Sequence, residues 1–166
     1  MVAWHKPPAG SLKLNIDGAF SKNLNLAGLG GSFKDDHGQW IMGYQHHCPA
    51  SLPLQCELEA LKEGLQIALA HGFTSLVIET DSTEVVYISL FLSRGSTENK
   101  LSTSLKWFMH RLKEPKILHN FRDGNQVAHG LDKEALEKRM DHQLLDRPHT
   151  IILNKLDADR MLCLFC

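Results

Sequence analysis

Residues 12–17 read Leu-Lys-Leu-Asn-Ile-Asp, and this stretch decides the fold. Its apolar side chains alternate with Lys13, Asn15 and Asp17, which is the period of a half-buried β-strand. The alternation predicts a first strand that begins at Leu12. It also places Asp17 on the polar face of that strand.

Two further strands are predicted directly downstream. A glycine-rich stretch over residues 27–33 leads through a turn at residues 34–38 into residues 39–46. Two strands joined by a tight turn fit this pattern. Together with the first strand they predict an antiparallel meander.

The pattern then changes to alternating helices and strands. Leu58, Leu61, Leu65 and Ala68 recur at three- and four-residue spacing, which indicates a helix that ends at Gly72. The remaining predicted elements are a strand over residues 76–78, helices over 83–92 and 98–112, a strand over 117–121 and a helix over 125–140. This order predicts an α/β fold with a mixed sheet and helices against it.

Three carboxylates follow or begin predicted elements, and each has a simple structural explanation. Asp17-Gly18 is a frequent turn signal. Asp81 lies between a strand and a helix, where aspartate is a good N-cap and Glu84 would complete a capping box. Glu57 lies early in its helix, where a carboxylate gains about 0.3 to 1 kcal/mol from the helix dipole.

The helix that carries Glu57 also carries a stripe of small residues. Ala60, Gly64 and Ala68 follow Glu57 at four-residue spacing. A glycine inside a helix costs roughly 1 kcal/mol relative to alanine, so close packing is a reason for Gly64. The stripe predicts that this side of the helix, which includes Glu57, faces the sheet.

Convergence of Asp17, Glu57 and Asp81 would create a site for divalent cations. The strand that ends at Asp81 is expected to neighbour the first strand, and α/β folds build their sites at the carboxyl ends of strands. Repulsion among carboxylates must be offset by cations, and oxygen ligands suit Mg²⁺ or Mn²⁺. Two such ions can activate water and stabilise a leaving oxygen. Hydrolysis at phosphorus is the predicted chemistry.

The composition predicts one globular domain. The chain has 166 residues, of which 43% are hydrophobic and 22% charged. No apolar run approaches the roughly 20 residues that span a bilayer, and residues 1–13 lack the apolar core of a secretory signal. An intracellular protein is therefore expected, without assignment to a compartment. Cys163 and Cys166 have C-x-x-C spacing but no second ligand pair, so an apolar tail end is favoured over a zinc site.

Charge is distributed unevenly along the chain. The net charge is −1, but residues 100–122 carry six basic residues and one acidic residue, which is +5 locally. Within the predicted helix of this segment, Lys106, His110 and Lys113 fall opposite the apolar stripe, with Trp107 beside them. This face would hold phosphates and stack on a base or sugar, or it is simply a solvated helix face.

Four sequence blocks, taken in order, carry a family resemblance. They are Lys13–Ala19, Cys56–Leu61, Ile78–Ser82 and Arg122–His129. They resemble the reverse-transcriptase-like ribonuclease H domain of plant genomes, part of the type 1 ribonuclease H family, over about residues 4–136. The resemblance implies a five-stranded mixed sheet, three antiparallel strands followed by parallel additions, flanked by helices. It also implies a two-metal endonuclease that cleaves the RNA strand of RNA/DNA hybrids.

The same resemblance assigns roles to individual residues. Asp17 would bridge both metal ions, and Glu57 and Asp81 would complete the second site. Glu57, rather than Glu59, matches the family's conserved glutamate. Asn125, which lies in the last block, is assigned to nucleic-acid binding together with the basic helix face.

One position departs from the family pattern. His129 stands where ribonucleases H usually carry a fourth aspartate. A neutral imidazole can ligate Mn²⁺ or pass a proton, but it is a poor Mg²⁺ ligand and adds no charge. The metal on the nucleophile side is therefore expected to bind more weakly. The alternative interpretation is that His129 is only a surface or packing residue of the last helix. Asp132 lies one turn further on, off the matched position, and is not assigned as a ligand.

Three functions stay open at this point. The first is an endonuclease with Mg²⁺ or Mn²⁺, and the second is a nucleic-acid-binding module without turnover, suggested by His129 and the near-neutral charge. The third is a scaffold that keeps only the fold. The expected partner is an RNA/DNA hybrid, with no membrane, no small-molecule cofactor and a monomeric chain. Residues 1–10 are expected to be an extended lead-in, 11–140 the domain, and 141–166 a tail in which no pattern predicts an element.

Overall fold

Six strands form a single sheet in the computed structural model, which describes residues 4–92 and 99–163. They are β1 (Leu12–Ser21), β2 (Leu26–Lys34), β3 (Trp40–Pro49), β4 (Leu76–Thr80), β5 (Lys116–His119) and β6 (Gln143–Leu145). Across the sheet the order is β5-β4-β1-β2-β3-β6. β1, β2 and β3 are antiparallel, whereas β4 and β5 add in parallel to β1. The meander and its parallel additions are as predicted, and β6, antiparallel to β3, is a sixth strand beyond the five predicted.

The described ranges contain five α-helices. They are α1 (Pro53–Ala70), α2 (Thr83–Leu92), α3 (Lys100–Arg111), α4 (Gln126–Lys138) and α5 (Leu153–Cys163). α1 to α4 correspond to the four predicted helices. The predicted start of α3 at residue 98 lies outside the described residues.

The period-two alternation of β1 divides its side chains between two faces. On one face α1 packs very closely, because a Cβ at Gly64 would lie 2.6 Å from Leu14 Cδ2. The Tyr44 hydroxyl donates a hydrogen bond to the backbone oxygen of Ala60 at 2.6 Å. The small-residue stripe therefore faces the sheet as predicted. On the other face Asn15 is directed toward the start of α4.

The face of the sheet opposite α1 carries a buried polar layer. The Lys13 ammonium lies 2.7 Å from a Glu79 carboxylate oxygen, and both side chains are nearly inaccessible. The Trp4 indole donates to Asn15 at 2.9 Å, and the ammonium groups of Lys13 and Lys34 lie 5.3 and 4.7 Å from the Trp4 ring centre. Trp4 is 1% exposed. The lead-in is thus anchored to the sheet at Trp4, whereas most of residues 5–10 are exposed.

The segment after α4 forms structure where the sequence predicts none. β6 joins the edge of β3, and α5 follows a short 3-10 turn. Leu145, Ile152 and Leu156 pack with Val127 and Leu131 of α4 into a second apolar cluster. A three-residue strand and widely spaced apolar residues leave no periodic signal, because burial here comes from contacts with distant elements.

The described ranges contain no helix that is long and apolar enough to cross a membrane. Cys48 and Cys56 are free thiols. The C-x-x-C motif that ends at Cys166 extends beyond the described residues.

A buried ion pair anchors α5 to the sheet. The Lys34 ammonium contacts the Asp159 carboxylate, and their side chains are 1% and 8% exposed. Burial lowers the pKa of Lys34 and raises the pKa of Asp159. Each charge is therefore costly without the other, since removing one partner of a buried pair leaves an uncompensated charge.

We expect Asp159→Ala to lower the free energy of unfolding by about 3 to 5 kcal/mol, because Lys34 loses its counter-ion. Urea denaturation measures this change. Asp157→Ala on the same helix is the matched control, since the Asp157 side chain is 70% exposed and should change stability by less than about 0.5 kcal/mol. Equal stability of the two variants would contradict the anchoring role of the pair.

Candidate metal centre

The sheet and α1 approach each other very closely at Gly18. A Cβ at this position would lie 2.6 Å from the carbonyl carbon of Cys56 and 2.9 Å from the backbone nitrogen of Glu57. Only glycine allows this approach, which brings Asp17 beside the first turn of α1. Both Asp17 and Gly18 lie inside β1, so the alternative that they form a turn is wrong.

Asp81 reaches the same place from β4. The parallel register pairs Ile16 with Thr80, so Asp17 and Asp81 emerge at the same end of adjacent strands. The side chain that caps α2 belongs to Ser82, whose hydroxyl accepts a hydrogen bond from the backbone of Val85 at 3.3 Å. The capping interpretation of Asp81 is therefore wrong, and its carboxylate is available to the cluster.

Asp17, Glu57 and Asp81 converge. One carboxylate oxygen from each lies within 4.8 Å of the others. Asp17 is 2% exposed, and the Glu57 Oε2 atom is buried without a hydrogen-bond partner among the described residues. Arg122 lies at the rim, with its Nε 3.4 Å from Asp81 Oδ2. Three acids from β1, α1 and the end of β4 therefore form one cluster.

A second group shares Asp17 with the first. His129 Nδ1 on α4 lies 2.9 Å from Asp17 Oδ2 and 3.6 Å from Asp132 Oδ1. Ligand atoms of Asp17, His129 and Asp132 also lie within 4.8 Å of one another. His129 is thus in contact with the cluster rather than only a packing residue. Asp132, which the family pattern does not assign, lies three residues after His129 and therefore on the same helical face.

The electrostatics of the cluster indicate excess negative charge. Burial, reinforced by the charge of Asp17, raises the pKa of Glu57 to about 10 and that of Asp132 to about 11. Burial and Asp17 also raise the pKa of Asp81. Although burial by itself would raise the pKa of Asp17, the hydrogen bond and the charge of His129 contribute to holding it below its ordinary value. Without a cation, such a cluster must retain protons.

This donor set fits hard divalent cations. Carboxylate oxygens are the ligands that Mg²⁺ and Mn²⁺ prefer. The buried oxygen of Glu57 that lacks a hydrogen bond points to a missing positively charged partner, because buried polar atoms are ordinarily satisfied. Asp17 belongs to both groups of residues that could hold a metal ion.

Asn125 is buried between β1 and the start of α4. It is 1% exposed, its amide donates to the backbone oxygen of Ile16 at 2.8 Å, and its side-chain oxygen accepts from Asn15 at 3.0 Å. These bonds tie the start of α4 to β1. The assignment of Asn125 to nucleic-acid binding stays a prediction, and this burial counts against it.

The predicted basic face of α3 is only partly as expected. Trp107 is 54% exposed, and His110 is exposed, but Lys106 is half-buried. Lys113 is exposed beyond the end of the helix, in the left-handed conformation with φ of 61°. The guanidinium of Arg111 lies 5.6 Å from the centre of the Trp107 ring, which adds a cation that the sequence analysis did not place on this face.

Comparison with known families identifies the family to which the chain belongs. The sequence model of the family described as reverse transcriptase-like matches residues 15–135. The chain belongs to the reverse transcriptase-like family. A relative from Arabidopsis thaliana, provisionally named a ribonuclease H protein, is 30% identical over 139 residues. This match covers 81% of the chain but only 22% of the relative, so the domain spans about a fifth of that protein.

Solved structures show which fold this reverse transcriptase-like domain has. Ribonuclease H1 of Halobacterium salinarum superposes with a TM-score of 0.63 at 24% identity, over 78% of this chain and 99% of that one. LC11 ribonuclease H1, solved in complex with an RNA/DNA hybrid, gives 0.65 at 20% identity over the same shares. The protease-reverse transcriptase of prototype foamy virus gives 0.62 at 16%, over 82% and 22%. The predicted ribonuclease H-like fold is confirmed.

We expect the free energy of unfolding of the metal-free domain to fall as pH rises from 4.5 toward 10. The folded protein keeps the Glu57 proton up to a pKa of about 10, whereas the unfolded chain releases it near 4.5. The stabilisation is complete below the unfolded pKa and is lost as pH rises through the folded pKa. Denaturation in a chelator across this range measures it.

Glu57→Gln should remove this part of the pH dependence. Glu59→Gln is the control, because Glu59 lies on the same helix but pairs with Lys62 at 3.1 Å. An identical pH profile for wild type and Glu57→Gln would refute the raised pKa of Glu57.

Proposed function

We propose that this domain is a metal-dependent endonuclease that hydrolyses the RNA strand of RNA/DNA hybrids with two Mg²⁺ or Mn²⁺ ions. The observation that carries the proposal is the convergence of Asp17, Glu57 and Asp81 at one end of β1 and β4. An exposed acidic patch would show solvated, separated carboxylates. These three are drawn together by backbone contacts at an electrostatic cost that a cation would offset.

The chemistry would be divided between the bound ions and the side chains. Divalent ions would supply an activated water and stabilise charge on the leaving oxygen. Asp17, which belongs to both groups of ligands, and Glu57 and Asp81 would hold these ions. His129 contacts Asp17 while its side chain remains 26% exposed, so it can orient that carboxylate and exchange a proton with solvent.

The substrate proposal rests on the fold and on the surface of α3. A protein of similar fold was solved in complex with an RNA/DNA hybrid. The exposed ring of Trp107, the adjacent guanidinium of Arg111, and Lys106, His110 and Lys113 offer a stacking surface and cations for a phosphate backbone. A catalytically silent hybrid-binding module is the second candidate, favoured by the replacement of the fourth acid by His129.

We expect the purified domain to cleave a labelled RNA/DNA hybrid in Mg²⁺ or Mn²⁺ and Asp17→Asn to reduce cleavage to background, because the bridging charge is lost. Gel analysis of the RNA strand measures this. Asp157→Asn, exposed on α5, controls for the same chemical change and should retain wild-type cleavage.

Two results would contradict the enzyme assignment. Cleavage retained by Asp17→Asn would mean that another site is responsible. Salt-sensitive hybrid binding by the folded wild type, without products in either metal, would favour the binding module.

Lys106→Glu combined with Lys113→Glu should weaken hybrid binding. If each lysine contacts a phosphate, the slope of log affinity against log salt should fall in magnitude by about two. Fluorescence anisotropy across a salt series measures the slope. Lys6→Glu with Lys22→Glu makes the same change in charge at exposed positions outside α3, so equal effects of the two pairs would rule out α3 as the binding surface.

A further inference from the structure

Asp132 is a buried acid whose role the three-carboxylate cluster does not explain. Its side chain is 1% exposed, and neither of its oxygens has a hydrogen-bond partner among the described residues. The Nδ1 atom of the His129 ring lies 3.6 Å from Asp132 Oδ1. A buried carboxylate left in this state is costly, so it calls for a ligand that the protein residues do not supply.

The backbone places Asp132 at this depth. A Cβ at Gly30 of β2 would lie 2.5 Å from the backbone nitrogen of Asp132, and one at Gly28 would lie 2.1 Å from its backbone oxygen. α4 therefore rests on a strip of β2 without side chains. Gly30 is also the ladder partner of Asp17 on β1, so this contact sets Asp132 beside Asp17.

The spacing of the ligand atoms suits one small cation. Atoms of Asp17, His129 and Asp132 lie within 4.8 Å of one another. Ligands on opposite sides of Mg²⁺ stand about 4.2 Å apart, given bonds of about 2.1 Å, so small side-chain movements suffice. Two residues of α4 complete this group, whereas the other group takes Glu57 from α1 and Asp81 from the end of β4.

We propose that Asp132 is a metal ligand that, with Asp17, holds the ion on the α4 side of the centre and supplies the negative charge that His129 cannot. The inference rests on the proposed function, since it takes the centre to bind two divalent ions. The fourth acid of the centre is then Asp132 rather than the residue at position 129. The two positions are three residues, or about one helical turn, apart on the same face of α4. His129 then serves beside Asp132, in contact with both carboxylates.

Metal binding without substrate tests this assignment. Calorimetric titration of the metal-free domain with Mn²⁺ should give two ions for wild type. Asp132→Asn should keep one ion at unchanged affinity and bind the other at least about tenfold more weakly. Glu137→Gln, exposed on the same helix, is the matched control and should bind as wild type does.

A rescue variant separates ligation from packing. Combining His129→Asp with Asp132→Asn returns a carboxylate to the same helical face. This double variant should restore binding of the ion on the α4 side. Circular dichroism verifies the fold of each variant, and Asp132→Ala replaces Asp132→Asn if the latter does not fold. Restored binding in the double variant supports a ligand role, whereas packing damage at Asp132 would persist.

Each remaining outcome is decisive. Two ions bound by Asp132→Asn with wild-type affinity would overturn the inference and leave the proposed function standing, provided that Asp17→Asn loses both ions. A wild type that binds no Mn²⁺ and cleaves no hybrid would overturn the proposed function and this inference together.

Discussion

The backbone contact between β1 and the first turn of α1 is the constraint on which the candidate centre depends. Gly18 lies so close to Cys56 and Glu57 that no side-chain carbon fits between them. Gly30 repeats the arrangement on the opposite face, where it admits α4. The acids are therefore positioned by the approach of main chains, and their separation cannot relax by rotation of surface side chains. Relief of their mutual repulsion must come from bound protons or cations.

The polar face of the sheet shows two solutions to the burial of charge. Lys13 and Glu79 neutralise one another inside the protein, as Lys34 and Asp159 do. The cluster around Asp17 has no buried lysine or arginine partner among the described residues, since Asp17 contacts His129 and the arginine that contacts Asp81, Arg122, has a side chain that is 65% exposed. The same layer thus contains closed pairs that serve stability and one open group that is suited to a ligand. This contrast is the physical basis for distinguishing a structural acid from a functional one here.

The sequence predicted those features that local patterns encode. The alternation around Asp17, the stripe of Gly64 and the order of elements were sufficient for five of the six strands and for α1. The convergence of the three acids was a hypothesis from these patterns, and their roles came from the family resemblance. Asp132 lies off the position that the family pattern matches, so the resemblance does not assign it, and its burial beside Asp17 depends on the contact of α4 with β2. The burial of Asn125 and the docking of residues 143–163 depend on contacts between segments more than 80 residues apart, and no local pattern records those.

The ion pair of Lys34 and Asp159 also bears on the order in which the molecule folds. It joins residues 125 positions apart, and the contact of Asp17 with His129 spans 112. Loops of this length must be closed before such contacts contribute any free energy, whereas the β1–β2 hairpin forms from neighbouring residues. High contact order therefore makes assembly of the centre a late event, and we expect the hairpin and α1 to precede it. A chain interrupted before α4 would carry Asp17, Glu57 and Asp81 but would lack His129 and Asp132.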